Sequence, residues 1–394
     1  MTRRFLEGSR AVAEAVARCK PQVISAYPIT PQTHIVADLA QMVSDGDLKA
    51  EYVNVESEHS AASVVLGASA TGVRVYTSTT SQGLLLMNEV IYNIAGMRMP
   101  VVLTCVNRSI SAPLNIWTDH QDSISVRDAG WLQLYCEHNQ DAVDLMIQAY
   151  RLAEDHRIML PVMVCMDGFV LSHAYETIDV PEQEEVDRFL PPYKPLYKLD
   201  PDDPVTMGAY AEPDKYTETR YMIHETMRRA LDIIPEISAE FRKVFGRAAG
   251  GLVEGYRLED ANTAIVALGS VNGLIKDTVD KLRLRGRKVG SLRVTTYRPF
   301  PTDAIVEALG HVRNVVVLDR AVSLGSGGPL ATEIRSVFAG RRGAPHVSSV
   351  IGGLGGRDIT EDTIKEALDK SRDGAGEAQF LDLNPNIEME GITQ

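Results

Sequence analysis

Cysteine is scarce: Cys19, Cys105, Cys136 and Cys165 are the only four among 394 residues, and no two form a CxxC pair. That spacing excludes a disulfide scaffold and argues against zinc or an iron–sulfur cluster held by this chain alone. Buried, reduced thiols are the simplest reading, so any redox metal is expected in another subunit. Long apolar runs are also missing, since no stretch approaches the roughly 18 residues of a membrane span. Glu7, Arg10 and Glu14 interrupt any secretory core after Arg3 and Arg4, which leaves the cytoplasm as the expected compartment. Basic residues are outnumbered, 40 Lys and Arg against 53 Asp and Glu, for a net charge of −13. Such a balance disfavours nucleic acid as a partner. It leaves room for a small acidic ligand, because one local arginine outweighs the global sign. Internal repeats and low-complexity tracts are absent as well. What is present is an ordinary globular composition, 44% hydrophobic and 24% charged, enough for sizeable cores in about two domains.

Short apolar runs alternate with helical patterns in the first half. Strands are expected at Val23–Tyr27, Tyr52–Val55, Val73–Thr79, Pro100–Val106 and Leu160–Met166, with helices at Phe5–Ala17, Thr33–Ser44, Ser60–Gly72, Leu84–Ala95 and Ala142–Glu154. This alternation predicts an α/β fold, a parallel sheet covered by helices on both faces. From Pro181 to Asp214 seven prolines, interleaved with Tyr and acidic residues, predict an ordered connector without regular elements. A long helix, Tyr216–Phe245, follows. A second α/β unit then runs through strands Thr263–Leu268, Lys288–Thr295, Asn314–Asp319 and His346–Ile351. Its helices are Val271–Arg285, Pro329–Phe338 and Thr360–Lys370, and a loose tail is expected beyond Asp373. The expected partition is 1–180, a connector and long helix at 181–256, a second domain at 257–375 and a tail at 376–394.

In open parallel sheets ligands bind beyond the carboxyl ends of the strands. Three such ends share a texture: Pro28-Ile29-Thr30-Pro31, then Thr77 to Gly83 with its Thr, Ser and Gln residues, then Asn107-Arg108-Ser109. Hydroxyls, an amide and one guanidinium suit a small anion, because Arg grips a carboxylate with two hydrogen bonds. Turn formation and helix capping would use the same residues at any one loop. Their coincidence at three adjacent strand ends favours a site. Glu58 stands apart just before the Ser60–Gly72 helix, where the helix dipole accounts for Glu56 but not fully for a second acid.

Together these segments carry a resemblance. Tyr27-Pro28-Ile29-Thr30-Pro31, Glu56-Ser57-Glu58-His59-Ser60, Thr80-Ser81-Gln82-Gly83 and Asn107-Arg108 resemble signature segments of the α subunits of pyruvate:ferredoxin oxidoreductases. Ala112 to Trp117, Asp119-His120-Gln121-Asp122, Tyr297 to Pro301 and Gly352 to Asp358 belong to the same pattern and fall in the same order. The resemblance is to the multi-subunit 2-oxoacid:acceptor oxidoreductases and spans about residues 5 to 370. It implies a thiamine-diphosphate-binding fold of the pyrimidine type plus a transketolase C-terminal-like domain.

By the same resemblance Glu58 is the carboxylate that bonds the aminopyrimidine ring of thiamine diphosphate. Arg108 receives the substrate carboxylate, with Thr30 beside it, and Tyr27, Pro28, Ser81 and Gln82 line the cofactor. The implied reaction is oxidative decarboxylation of a 2-oxo acid with transfer of the acyl group to coenzyme A and of electrons to ferredoxin. What is missing fits that division. Thiamine enzymes hold the diphosphate through Mg²⁺ on a Gly-Asp-Gly segment, whereas this chain has Asp45-Gly46-Asp47 and Met166-Asp167-Gly168 and no metal-ligating set. A β subunit is therefore expected to bring Mg²⁺, the diphosphate site and a cluster. A γ chain and a ferredoxin-like δ chain would complete a dimer of heteromers.

The substrate stays open among pyruvate, 2-oxoisovalerate and aromatic 2-oxo acids such as phenylglyoxylate. A dicarboxylate such as 2-oxoglutarate calls for a second cation that is not seen near Thr30. A non-catalytic scaffold subunit and a stand-alone dehydrogenase are the competing classes. His59 and His120 are expected to serve structure before chemistry. Asp119, Asp122, Arg127 and Asp128 are candidates for an ion-pair network behind Arg108. Gly325-Ser326-Gly327-Gly328, ahead of a helix, offers a weak anion-binding pattern, and the second domain is expected to be mainly structural.

Overall fold

The computed structural model describes residues 2–370 and 378–384. Seven strands form the first sheet, in the order Thr296–Arg298, Leu132–Tyr135, Val162–Asp167, Val102–Asn107, Val75–Thr79, Val23–Ile24 and Glu51–Tyr52. All pairs are parallel except the edge strand Thr296–Arg298, which runs antiparallel to Leu132–Tyr135. Apolar side chains on both faces explain why the central strands read as continuous runs. Val162, Val164 and Met166 enter one core with the helices Gly8–Cys19, Asn139–Ala153 and Pro213–Phe245. Met163 and Cys165, one residue out of phase, enter another with the helices Glu58–Ala70 and Asn88–Gly96.

The second sheet has six strands, ordered Gln379–Phe380, His346–Ile351, Asn314–Asp319, Thr263–Ala267, Val289–Val294 and Val253–Tyr256. Only Val253–Tyr256 runs antiparallel. Ala264, Val266, Val315 and Val317 join the same core as Met163 and Cys165, so the two sheets share one apolar interior. The opposite face, with Ile265, Val316 and Leu318, is covered by the helices Val271–Leu284 and Glu361–Lys370.

Several expectations need correction. Phe5 does not begin a helix: Thr2–Glu7 pairs antiparallel with Tyr175–Val180, and the helix starts at Gly8. The proline-rich stretch is not devoid of regular structure. A helix at Gln183–Phe189 closes a capping box between Glu182 and Glu185, which satisfies backbone donors at its start. Beyond Asp373 the tail is not uniformly loose, because Gln379–Phe380 adds a strand to the second sheet and Leu381 is buried. The rest of the expected tail lies outside the described residues. The long helix is Pro213–Phe245, and Ile223, Ala230, Ile233, Ile237, Phe241 and Phe245 form its buried stripe. Phe241 and Phe245 stack with ring centroids 4.3 Å apart, against Phe189 of the connector helix. No helix among the described residues is long and apolar enough to cross a membrane.

Candidate active site

Strands Val23–Ile24, Val75–Thr79 and Val102–Asn107 are neighbours in the first sheet, so the three polar loops that follow them meet at one edge. Asp122, fully buried at the start of the short helix Gln121–Ser125, fastens two of them. Its carboxylate accepts the backbone N–H of Ser81 and of Arg108, each at 3.0 Å, and the Asn107 side-chain amide at 2.8 Å. Ser81 has φ of +47° and donates its hydroxyl to the Ser109 carbonyl. These bonds hold an otherwise unfavourable backbone angle. The expected ion-pair network behind Arg108 is thus replaced by a backbone tether. Asp119 accepts the N–H groups of Gln121 and Gly355, Arg127 faces Glu333, and Asp128 faces Arg298.

Glu58 opens the helix Glu58–Ala70, capped by the Ser57 side chain on Ser60 N–H. It is only 7% exposed, and no hydrogen bond or ion pair reaches its carboxylate among the described residues. Beside it lies Gly83, where a Cβ would stand 2.7 Å from Glu58 Oε1 and 2.5 Å from Thr79 Oγ1. Thr79 Oγ1 and Gln82 Nε2 are likewise buried without a partner. An acid and a hydroxyl therefore pack against the glycine, in space that a side chain at position 83 would take. Burying the Thr79 hydroxyl and the Gln82 amide unpaired costs about 1–3 kcal/mol each, a cost that a ligand bonding them would offset.

Arg108 is 6% exposed and held on three sides. Nε donates to the Asn115 carbonyl at 3.1 Å, one terminal nitrogen to the Thr30 carbonyl at 2.7 Å, and the other to Gln82 Oε1 at 3.4 Å. Among the described residues each terminal nitrogen makes one hydrogen bond, which leaves a second N–H on each for a carboxylate. Burial pulls the guanidinium pKa down while the Asp122 charge raises it. Asn115 itself is pinned from the second sheet: its amide donates to the Gly355 carbonyl at 3.1 Å, and Gly356 N–H donates to the Thr118 carbonyl at 2.8 Å. A Cβ at Gly356 would lie 2.3 Å from Trp117 Cβ. The second unit thus reaches the Arg108 loop directly, a role the sequence pattern did not reveal.

Thr30, Ser81, Gln82 and Arg108 are joined by these bonds, and Glu58 meets them through Gly83. Tyr27 is half-buried and Pro28 exposed on the Thr30 loop, and no hydrogen bond joins the Tyr27 hydroxyl to the others among the described residues. His59 points outward, half-exposed and 4.0 Å from Glu89. His120 serves structure, with Nε2 bonded to Asp167 at 2.8 Å. The Gly325–Gly328 loop offers no vacant anion site, since the Asp319 carboxylate already accepts Leu330 N–H at 2.9 Å and Ala331 N–H at 3.1 Å. Sequence reasoning missed Thr79, Gly83 and Asn115. Thr79 and Gly83 lie inside the Thr/Ser/Gln segment that was singled out, and Asn115 lies in the Ala112–Trp117 motif, so position was legible while contact was not.

Residues 14–239 match the family described as "Pyruvate flavodoxin/ferredoxin oxidoreductase, thiamine diP-bdg", and residues 261–364 match "Pyruvate:ferredoxin oxidoreductase core domain II". The chain belongs to this oxidoreductase family. Its similarity to the pyruvate synthase subunit PorA of Methanosarcina barkeri is 49% identity over 389 residues, covering 97% of each chain. The ketoisovalerate oxidoreductase subunit VorA of Pyrococcus abyssi is 41% identical over 364 residues, covering 92% of each. Among solved structures, the 2-oxoglutarate:ferredoxin oxidoreductase from Magnetococcus marinus, with 2-oxoglutarate, coenzyme A and succinyl-CoA bound, superposes with a TM-score of 0.69 at 20% identity. The match covers 94% of this chain and 65% of that one. A split gene transketolase described as an inactive beta4 tetramer gives 0.55 at 15% identity, over 93% of this chain and 98% of the other. These distant likenesses concern the fold alone, and the thiamine-diphosphate-binding description comes from the family match over residues 14–239. Oxidoreductases of this family work as subunits of larger assemblies, in keeping with the relatives' names.

Proposed function

We propose that this chain is the α subunit of a coenzyme A-acylating 2-oxoacid:ferredoxin oxidoreductase, with pyruvate as the principal substrate. The observation that carries the reading is the Glu58 carboxylate, 7% exposed and without a hydrogen-bond partner among the described residues, packed with Thr79 against Gly83. A flat amino-substituted ring with both donors and acceptors on its edge answers that set, and the aminopyrimidine of thiamine diphosphate is such a ring. When bound, the cofactor supplies the nucleophilic carbon and the electron sink that the protein's own side chains lack. Glu58 holds and returns a proton at the ring nitrogen, a task suited to a carboxyl shielded from water. Arg108, fixed by Asn115, Thr30 and Gln82, orients the substrate carboxylate with its two free N–H groups. Thr30 borders that carboxylate, and Tyr27, Pro28 and Ser81 form the surrounding loop walls.

The diphosphate end, Mg²⁺ and the iron–sulfur clusters belong in this reading to partner subunits, because the sequence has no Gly-Asp-Gly segment and its cysteines are buried and free. A β subunit would close the site, and γ and ferredoxin-like δ subunits would carry the electrons onward in a cytoplasmic dimer of heteromers. Pyruvate is preferred over larger 2-oxo acids on the closer identity to the PorA relative.

The decisive experiment is Glu58→Gln in the assembled complex, assayed as 2-oxo-acid- and coenzyme A-dependent reduction of a low-potential viologen. Loss of the proton-handling group should lower turnover by about 10²–10⁴-fold. Undiminished turnover would mean a scaffold subunit instead. A panel of pyruvate, 2-oxoisovalerate, 2-oxoglutarate and phenylglyoxylate on the same complex ranks the substrates by kcat/KM. A best substrate other than pyruvate would overturn that part of the reading.

A further inference from the structure

Outside the Glu58–Arg108 site, three residues far apart in sequence converge. Glu7 ends the strand Thr2–Glu7, His34 lies in the first turn of the helix Thr33–Ser44, and His173 follows the strand Val162–Asp167. One potential ligand atom from each lies within 4.8 Å of the others. His34 Nδ1 and Glu7 Oε1 are 2.8 Å apart, and the two imidazoles face each other with ring centroids 4.7 Å apart.

The surroundings hold this set in place. Ser172 Oγ accepts the Phe169 N–H at 2.8 Å and lies 2.8 Å from His173 Nδ1; in the tautomer whose Nδ1–H donates to this oxygen, Nε2 is the nitrogen available for coordination. Fixing one imidazole nitrogen so that the other presents its lone pair is how outer hydrogen bonds prepare a metal ligand. Phe169 backs the His173 ring at 4.8 Å, and Trp117 backs Phe169 at 4.6 Å, so one wall is aromatic. The opposite side is open, since the His34 side chain is 51% exposed while that of Glu7 is 16% exposed. An ion entering there meets three protein ligands and keeps room for water.

We propose that Glu7, His34 and His173 bind a divalent cation of the zinc type. Two imidazoles and one carboxylate match the His₂Glu donor set of open zinc sites, with ligands about 2.0–2.2 Å from the ion. Magnesium and calcium, which favour oxygen-only shells, are poor candidates. The three ligand atoms, within 4.8 Å of one another, sit on a strand, a helix and a turn. The ion would tie the N-terminal strand to the helix that follows Thr30-Pro31 and to the turn that follows Asp167. The proposal does not depend on the catalytic reading.

The test is metal content of the purified full-length chain in its complex, equilibrated with micromolar zinc chloride, desalted and measured by elemental analysis. Wild type should hold one more zinc per chain than His34→Asn or His173→Asn, with iron content unchanged as the internal control. Ser172→Ala should weaken zinc binding by about 10–100-fold, the usual effect of removing an outer hydrogen bond. Excess magnesium should not displace the ion. His34→Asn alters a half-exposed position, so it remains informative if His173→Asn does not fold. Equal zinc in wild type and His34→Asn, or release of the ion by magnesium, would overturn the proposal.

Discussion

Asp167 ends the strand Val162–Asp167 in the first sheet, Asp319 ends Asn314–Asp319 in the second, and both carboxyls are withdrawn from solvent. Their surroundings differ chiefly in the cations in direct contact, and also in the Ser270 and Thr118 hydroxyls that only Asp167 accepts among the described residues. Asp167 meets Arg320 at 2.9 Å and His120 at 2.8 Å, and Ser270 adds its N–H at 2.8 Å. Burial would push this carboxyl up, but Arg320 and His120 outweigh it and hold Asp167 well below the usual carboxylate range. Among the described residues, the hydrogen bonds to the Asp319 carboxylate come from the N–H groups of Leu330 and Ala331, and burial pushes it up to about 7. The same residue at the same place in a strand is thus a fixed anion in one sheet and a titratable cap in the other. Desolvation is common to both, so the neighbouring charge decides.

Their pH dependences are opposite in sign. Asp167, with a depressed folded pKa, stabilises above the unfolded value near 3.9, and that contribution is lost as the solution is acidified. Asp319, with a raised folded pKa, binds its proton more tightly when folded. Its contribution is full below about pH 4 and is lost as pH rises toward 7.

The largest effect is expected where the contrast is erased outright. Asp167→Ala strands the buried Arg320 guanidinium and should cost about 3–5 kcal/mol, read as the change in urea unfolding free energy. Arg320→Met converts the environment of Asp167 toward that of Asp319. The expected loss is on the order of 1–3 kcal/mol, together with an acid-unfolding midpoint moved to higher pH. An unmoved midpoint would deny Arg320 its role in keeping Asp167 ionised. Asp319→Asn is the mildest change: it removes one acceptor and should cost on the order of 1 kcal/mol at pH 5. At pH 8 that cost should shrink, because the wild type then carries a buried charge and the variant does not. Parallel stability curves for wild type and Asp319→Asn between those two pH values would remove Asp319 as a titrating cap.

Where the sequence could be read, it was read through local chemistry. Strands Asn314–Asp319 and His346–Ile351 and the helix Pro329–Phe338 have the boundaries that their apolar runs and proline start predict. Strand Leu132–Tyr135 escaped because Gln133 interrupts its apolar pattern, although that glutamine is buried, its amide donating to the Ser123 carbonyl at 2.9 Å. Thr2–Glu7 and Tyr175–Val180 are polar edge strands whose partners lie some 170 residues away, as in the pairing of Phe5 with Thr177. No local pattern encodes such a pair. At the candidate site, Arg108, Thr30, Ser81 and Gln82 are readable as residue types at strand ends, and Glu58 as an acid at the start of a helix. Asp122 was recognised but given the wrong task, since a carboxylate near an arginine suggests an ion pair and the fold uses it on backbone N–H groups instead.

The edge strand Thr296–Arg298 comes from the second half of the chain yet completes the sheet of the first. A shortened polypeptide that stops before Thr296 would leave Leu132–Tyr135 with a bare row of N–H and C=O groups, a ready template for sticking to its own kind. Neither half is therefore a self-sufficient module, and limited digestion within 190–212 should nick the chain without letting the pieces part.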